Sequence, residues 1–410
     1  MKKICLLIAI AFALPILSHN LYAQKDRMDK GKFVEYTNEF WEKIKESSEK
    51  FNKKATPDKK RFMMDFSEYD LPESAEDFDQ VWHTPPISQG WTGTCWCFST
   101  TSFLESEIKR IHGRDVKISE IYTVYWQYVE KAREYIRTRG ESNFAEGSLS
   151  SYIFPVWEQY GCVPAAAYTG LPGGREFHDH HLMYSEMMNY LRSVKQENAW
   201  NEEVALETIK SIMNHYLGVP PTEITYSGRK MTPMQFYREA VDLKPSDYVN
   251  FMSLLEAPYY TKAEYDVPDN WANDSDFYNI PLDDFMKIAK SAIKAGYSMC
   301  IGGDVSETGY SAMKEVAMVP AYDIPSRYID DNARQLRFSN GATTDDHAIH
   351  IVGWEDRDDG MWFLIKDSGS GSRNGKNEGY YFYHEDYIKL KIMNITVHRS
   401  AADEILSKFK

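Results

Sequence analysis

Cys95 lies in the run I-S-Q-G-W-T-G-T-C-W-C-F-S-T, residues 87 to 100. Upstream is a loop closed by Pro85-Pro86 and broken by Gly90 and Gly93; downstream, Thr101, Leu104, Ile108 and Ile111 recur at helical spacing. The cysteine therefore falls at or near the first turn of a helix. Free N–H groups and the positive end of the helix dipole there favour thiolate over thiol, which makes a usable nucleophile. A carbonyl attacked by that sulfur develops a negative oxygen, and Gln89, six residues upstream, can turn its amide back to donate to it. The plain alternative is a buried structural cysteine, since free cysteine is among the most buried residue types. The glutamine, the two glycines and Trp96 weigh towards the nucleophile.

A nucleophile of this kind needs a base. The stretch T-D-D-H-A-I-H-I-V-G-W-E-D-R-D-D-G-M-W-F-L-I-K-D-S-G, 344 to 369, reads as a strand over 347–354, a charged turn over 355–360 and a strand over 361–367. Pairing Trp354 with Met361 sets His347 opposite Ser368, with Asp367 one residue away at the same end of the hairpin. His347 would take the Cys95 proton and later protonate a leaving amine, while Asp367 holds the ring and favours its charged form. His350, on the other strand face, reads as a packed or surface histidine.

Q-G-W-T-G-T-C-W-C-F-S resembles the nucleophile segment of papain-like cysteine peptidases, whose signature is Cys-Gly-Ser/Ala-Cys-Trp/Tyr. Thr92 stands where that signature has its first cysteine, and such a missing half-cystine resembles the bleomycin hydrolase and aminopeptidase C branch. Glu146-Gly147-Ser148 resembles the family's Asp-Gly-Gly, and Y-G-C-V-P, 160 to 164, its Tyr-Gly-x-Val-Pro turn. M-T-P-M-Q-F-Y-R-E, 231 to 239, after G-V-P-P-T-E-I-T-Y, resembles the insertion of the branch. His347 lies 252 residues beyond Cys95, against roughly 130–150 in papain-like peptidases. Removing an insertion of about 100 residues restores that distance.

The resemblance implies an α+β, papain-like two-lobed fold: a helical lobe, an antiparallel β-barrel-like lobe and a helical insertion. It implies Cys95, His347, Asp367 and Gln89 as the catalytic group, with substrate running beside Gly147 and Ser148 and near Asp346. Its partner would be a peptide or protein substrate, with no cofactor and no metal. A hexameric ring is implied by the branch alone.

The chain divides on this reading into an export signal over 1–23, an N-terminal segment over 24–80 packed on the catalytic body, and a helical lobe over 81–170. The insertion follows over 171–270 and the β-rich lobe over 271–410. The signal is read from Lys2 and Lys3, the apolar run Ile4 to Leu17, and Leu21-Tyr22-Ala23 before an expected cleavage near Ala23. That predicts a periplasmic or secreted protein, free of the membrane once cleaved. In 24–80, Phe33, Tyr36, Phe40, Trp41 and Ile44 are spaced as on one amphipathic helix. Net charge is −14, and no basic cluster with interleaved aromatics points to nucleic acid.

Cys97, roughly 200° around the helix from Cys95, should face the core; pairing of Cys162 with Cys300 is open. His178, Asp179, His180 and His181 carry ligand-type side chains without a fourth ligand or regular spacing, so a solvated loop is favoured over a metal site.

Two departures from the family bear on activity. Asp367-Ser368-Gly369-Ser370 replaces Asn-Ser-Trp-Gly, and without the tryptophan the His347–Asp367 bond is expected to meet water. The tail after the last strand shows no match to the branch's cleft-entering arm, so peptides with blocked amino ends are expected to remain substrates. Two rivals stay open: transglutaminase-like acyl transfer to an amine, which also uses Cys, His and Asp, and a silent exported binding protein.

Overall fold

The computed structural model describes residues 39–52 and 62–409, so the expected export signal, Phe33 and Tyr36 lie outside the described residues. The chain forms two units, each taken by itself. One contains the helix Glu39–Asn52, on which Phe40 and Ile44 are exposed. The other begins at Phe62 and holds everything that follows. Among the described residues no helix is long and apolar enough to cross a membrane.

The helical half is built on Cys95–His112, which ends at Gly113 in the left-handed region, φ 68°, with Lys109, Arg110 and His112 in its last turn. The Lys109 and Arg110 charges complement the negative end of the dipole. The next helix, Glu120–Arg137, is capped by the Ser119 hydroxyl, which accepts from the Tyr122 N–H. Phe103, Leu104 and Ile108 of the first pack into one core with Tyr128 and Val129 of the second and Trp157 of helix Ile153–Tyr160.

The insertion carries two helices, His181–Gln196 and Glu202–Leu217. Asn198 at φ 52° breaks the chain between them, and Asn201 caps the second. Met183, Met187, Leu191, Ile209 and Met213 point inward from both and join the same core.

The second half is an eleven-stranded, mostly antiparallel sheet. Its path runs 261–263, 277–279, 248–252, 392–398, 299–303, 347–357, 360–366, 380–384, 316–317 and 310–311, with 79–80 paired onto 347–357. Strands 248–252 and 261–263 already belong to it, because Val249 and Phe251 are needed in the core beneath helix Leu282–Lys294.

The hairpin that carries His347 is longer and set differently from expectation. The strands run His347–Arg357 and Gly360–Lys366, joined by Asp358-Asp359, and Met361 pairs with Asp356 rather than Trp354. Between Ile351 and Gly353 the register shifts at a β-bulge. Beyond it His350 pairs with Lys366, so Asp367 continues opposite Ile349. Side chains alternate along a strand, so His347 and Ile349 share a face, and the bulge sets Asp367 on that face too.

Candidate active site

Cys95 is the first residue of its helix, partly exposed, and Thr94 before it makes no side-chain cap. The first N–H groups of a helix have no intrahelical acceptor, so they remain free to bind an anion at the sulfur's position. The loop leading in is braced by hydroxyls. Thr92 Oγ1 donates to the Gln89 carbonyl at 3.0 Å and lies 2.6 Å from Thr94 Oγ1.

Gln89 is 7% exposed and held at three points. Its amide donates to the Thr92 carbonyl at 2.6 Å, its Oε1 accepts from Ser368 Oγ at 2.7 Å, and its backbone N–H donates to the Ser368 carbonyl at 3.0 Å. An amide nitrogen carries two hydrogens, so one is left for an oxygen beside Cys95.

His347 bridges the two halves. Its Nε2 lies 2.8 Å from Asp367 Oδ1, and the Cys95 sulfur lines the same cavity as the ring. Burial disfavours the charged ring, but the Asp367 carboxylate and the Cys95 sulfur outweigh it and hold His347 well above the usual histidine range. Burial likewise pushes Asp367 up, and His347, the Gly369 N–H and Arg373 overcome it and keep the carboxyl below its ordinary value. The two shifts agree on a charged pair.

The expectation that water reaches this pair is not met. The His347 side chain is 12% exposed and that of Asp367 2%. Gly369 takes the place of an aromatic cover: its N–H donates to Asp367 Oδ1 at 2.7 Å, and a β-carbon on it would lie 3.4 Å from His347 Nε2. Ser372 and Arg373 donate to the carbonyls of Asp367 and Gly369 and fix that turn.

The other residues singled out from sequence are placed as follows. Gly147 has the Asp269 carboxylate laid against it. The Ser148 hydroxyl is turned inward, accepting from Gln127 and Trp271. Asp346 is exposed and accepts from the Val305 N–H at 3.1 Å. Cys97 is fully buried, its thiol donating to the Glu120 carbonyl. His350 is buried too, its Nδ1 2.9 Å from Ser102 Oγ. Cys162 and Cys300 are both free thiols.

The histidine cluster is not a solvated loop. Trp91 N–H donates to the His178 carbonyl at 2.8 Å and His180 N–H to the Trp91 carbonyl at 3.2 Å, so this strap of the insertion pairs with the loop carrying Gln89. His180 is fully buried, and His181 stacks on Trp91 at 5.3 Å. Gly90, at φ 67°, is forced by the contact: a β-carbon there would lie 2.3 Å from the His178 carbonyl oxygen.

Sequence reasoning passed over Ser368 as the anchor of Gln89. It also left out Glu146, whose Oε2 accepts from the Gly93 N–H at 2.8 Å and whose carbonyl accepts from Trp96 Nε1 at 3.1 Å. Ser368 carried a signal, since it directly follows Asp367; Glu146 carried only its place before Gly147. A thiol at a helix start, sharing a cavity with an imidazole that a buried carboxylate holds in its charged form, can attack a carbonyl and protonate what leaves.

A model of the Peptidase C1-like family matches residues 145–410. Aminopeptidase C of Lactococcus lactis subsp. cremoris is 21% identical over 373 residues, covering 82% of this chain and 84% of that one. Aminopeptidase C of Streptococcus thermophilus is 23% identical over 357 residues, 76% and 80% of the two chains. Bleomycin hydrolase of Gallus gallus is 20% identical over 378 residues, 78% and 81% of the two. The solved structure of pepw from Lactobacillus rhamnosis HN001 shares the fold, with a TM-score of 0.69 at 16% identity over 92% of this chain and 95% of that one.

Proposed function

The chain belongs to the peptidase C1-like family and is a cysteine peptidase, and on that premise we propose that it hydrolyses peptide amides through a Cys95–His347–Asp367 triad and an acyl-enzyme. The observation that carries this is the position of His347, in one cavity with the Cys95 thiol and 2.8 Å from Asp367. The Cys95 thiolate attacks the scissile carbonyl, and the Gln89 amide with the Cys95 N–H receives the oxyanion. The His347 imidazolium protonates the leaving amine, then accepts a proton from the water that releases the acyl group.

Incubation with a thiol-directed inactivator tests the reading: Cys95 should be labelled selectively and peptide cleavage lost in step. Cleavage that survives full labelling of Cys95 would refute it. Parallel assays of hydrolysis and of amine incorporation distinguish a peptidase from an acyl transferase.

Gln89→Ala should lower kcat about a hundredfold with KM nearly unchanged, because the donor acts on charge that appears only in the transition state. An equal rise in KM instead would place Gln89 in ground-state binding.

Export remains part of this reading, supported by Lys2, Lys3, the apolar run to Leu17 and Ala23. Amino-terminal sequencing of the protein from its native cells should begin at or near Gln24. An intact Met1 end on the mature protein would remove this element.

A further inference from the structure

One buried amine joins the segments that carry Gln89, Cys95 and Asp367. Lys366 ends strand Gly360–Lys366, directly before Asp367, and is 7% exposed. Its Nζ donates to Thr84 Oγ1 at 2.9 Å and to Ser102 Oγ at 2.7 Å. Thr84 lies five residues before Gln89, across Pro85-Pro86. Ser102 lies seven residues after Cys95, about two turns along the same helix.

The direction of each bond follows from the donor. An ammonium has N–H groups and no acceptor, so both hydroxyl oxygens accept from Lys366 and keep their own hydrogens for other partners. Thr84 Oγ1 donates to Glu105 Oε2 at 2.7 Å, and the Ser102 hydroxyl faces His350 Nδ1 at 2.9 Å. Glu105 also accepts from Lys117 Nζ and from the Ile118 N–H, both at 2.9 Å. Lys117 pairs with Glu120 as well, so two amines are set against two carboxylates. Burial draws the Lys366 pKa down to about 8 and Glu105 opposes it, which leaves the amine mostly charged at neutral pH. The cavity beside it, walled by Ile87, Phe98, Ser102 and Asp367 among others, is about 10 Å³, room for about one water-sized group. A peptide does not fit there, so Lys366 can serve the reaction only through other residues.

We propose that Lys366 is a positioning residue for the reaction: its ammonium ties the Gln89 loop and the Cys95 helix to the strand end that delivers Asp367, and so aims the Gln89 amide at the oxyanion beside the sulfur. The proposal rests on the peptidase reading above. Two rungs join segment 84–89 to segment 366–368. The first is the bond from Lys366 to Thr84; the second is Ser368 with Gln89, a side-chain bond at 2.7 Å and a backbone bond at 3.0 Å. Two rungs fix the angle of a loop as well as its place, and losing the first leaves the second to hold the loop by one end. The bond to Ser102 refers the first rung to the helix that begins at Cys95, so donor and sulfur share one point of reference. The Gln89 amide acts on charge that develops only in the transition state, so a small swing of the loop costs turnover rather than binding.

Steady-state kinetics on the full-length protein, with a peptide amide as substrate and thermal melts to establish folding, test this. Lys366→Met removes the ammonium, Thr84→Val removes the acceptor of the first rung while keeping the shape of the side chain, and Thr84→Ser restores the hydroxyl. Lys366→Met and Thr84→Val should each lower kcat about tenfold with KM within about twofold of wild type, and Thr84→Ser should keep kcat within about twofold. Placed in Gln89→Ala, where the donor is already gone, either change should cost less than about threefold more, because residues that act as one unit are not additive. An undiminished kcat in folded Lys366→Met or Thr84→Val would overturn the proposal, as would a loss confined to KM, a serine variant as slow as the valine one, or equal fold losses with and without Gln89. Should Lys366→Met fail to fold, the two Thr84 variants and the Thr84→Val, Gln89→Ala double variant decide. A wild type that cleaves no peptide while Cys95 stays reactive would remove the peptidase reading and this one with it.

Discussion

Cys95→Ala should reduce kcat on any peptide substrate by about ten-thousandfold or more, the scale at which a covalent nucleophile is lost while the oxyanion donors and binding surface remain. Substrate affinity should change little, because the sulfur forms its bond only after binding. The control lies two residues away. Cys97 is fully buried, its thiol donates to the Glu120 carbonyl, and burial pushes its pKa well above the ordinary thiol range. Cys97→Ala should therefore cost stability, on the order of 1–2 kcal/mol, and leave turnover near that of the wild type. Steady-state kinetics on both variants, with thermal melts to establish folding, decide the matter. If Cys95→Ala keeps more than a few per cent of wild-type turnover, another group is the nucleophile.

Asp367 should give the second largest loss. Asp367→Ala leaves the ring nitrogen that faced Oδ1 at 2.8 Å without an acceptor and the imidazolium without its counter-charge. A fall of about a thousandfold in kcat/KM is expected. Asp367→Asn keeps an acceptor but no charge, and charge-assisted bonds are roughly twice as strong as neutral ones, so about a tenfold loss is expected.

The pH profile gives the sharper reading. Asp367 and the Cys95 sulfur hold His347 well above its ordinary value against the opposing effect of burial. The ring must be protonated to donate to the leaving amine, so activity is lost as pH rises through that pKa. Removing the carboxylate lowers the pKa of the ring, and the alkaline limb of kcat/KM should move to lower pH in Asp367→Asn. An alkaline limb that stays in place would mean that Asp367 does not govern the charge of His347.

The residues of the candidate site were readable because each carries a local signal. Cys95 sits where a proline-closed loop meets a helical repeat, and that junction alone puts a thiol at the positive end of a dipole. His347 and Asp367 are joined by one hairpin, so a turn of a few residues brings them to the same end. The register read from sequence was nonetheless displaced. Met361 pairs with Asp356, and the bulge at Val352 coincides with the outer strand, where the Val81 N–H donates to the Val352 carbonyl at 2.9 Å. Nothing in the alternation of residues 347 to 366 announces a partner from residue 81. In the register first read, Asp367 would fall on the strand face opposite His347, and the extra residue of the bulge corrects this.

The strap at His178–His180 was misjudged for a related reason. Four polar residues in a row read as solvated, but their backbone pairs with Trp91, and His180 is sealed beneath it. Side-chain polarity says little about a segment whose main chain supplies the contact.

By itself the sequence determined which side chains make up the candidate site, the helix that presents the sulfur and the hairpin that joins the imidazole to its carboxylate. These follow from periodicity and dipoles acting over a few residues. Only the tertiary structure decided that Ser368 locks Gln89, that Gly369 rather than an aromatic ring shields His347, and that Asp269 lies on Gly147. Those contacts join positions far apart in the chain, and their geometry comes from how the helical half packs against the sheet, which no local pattern encodes.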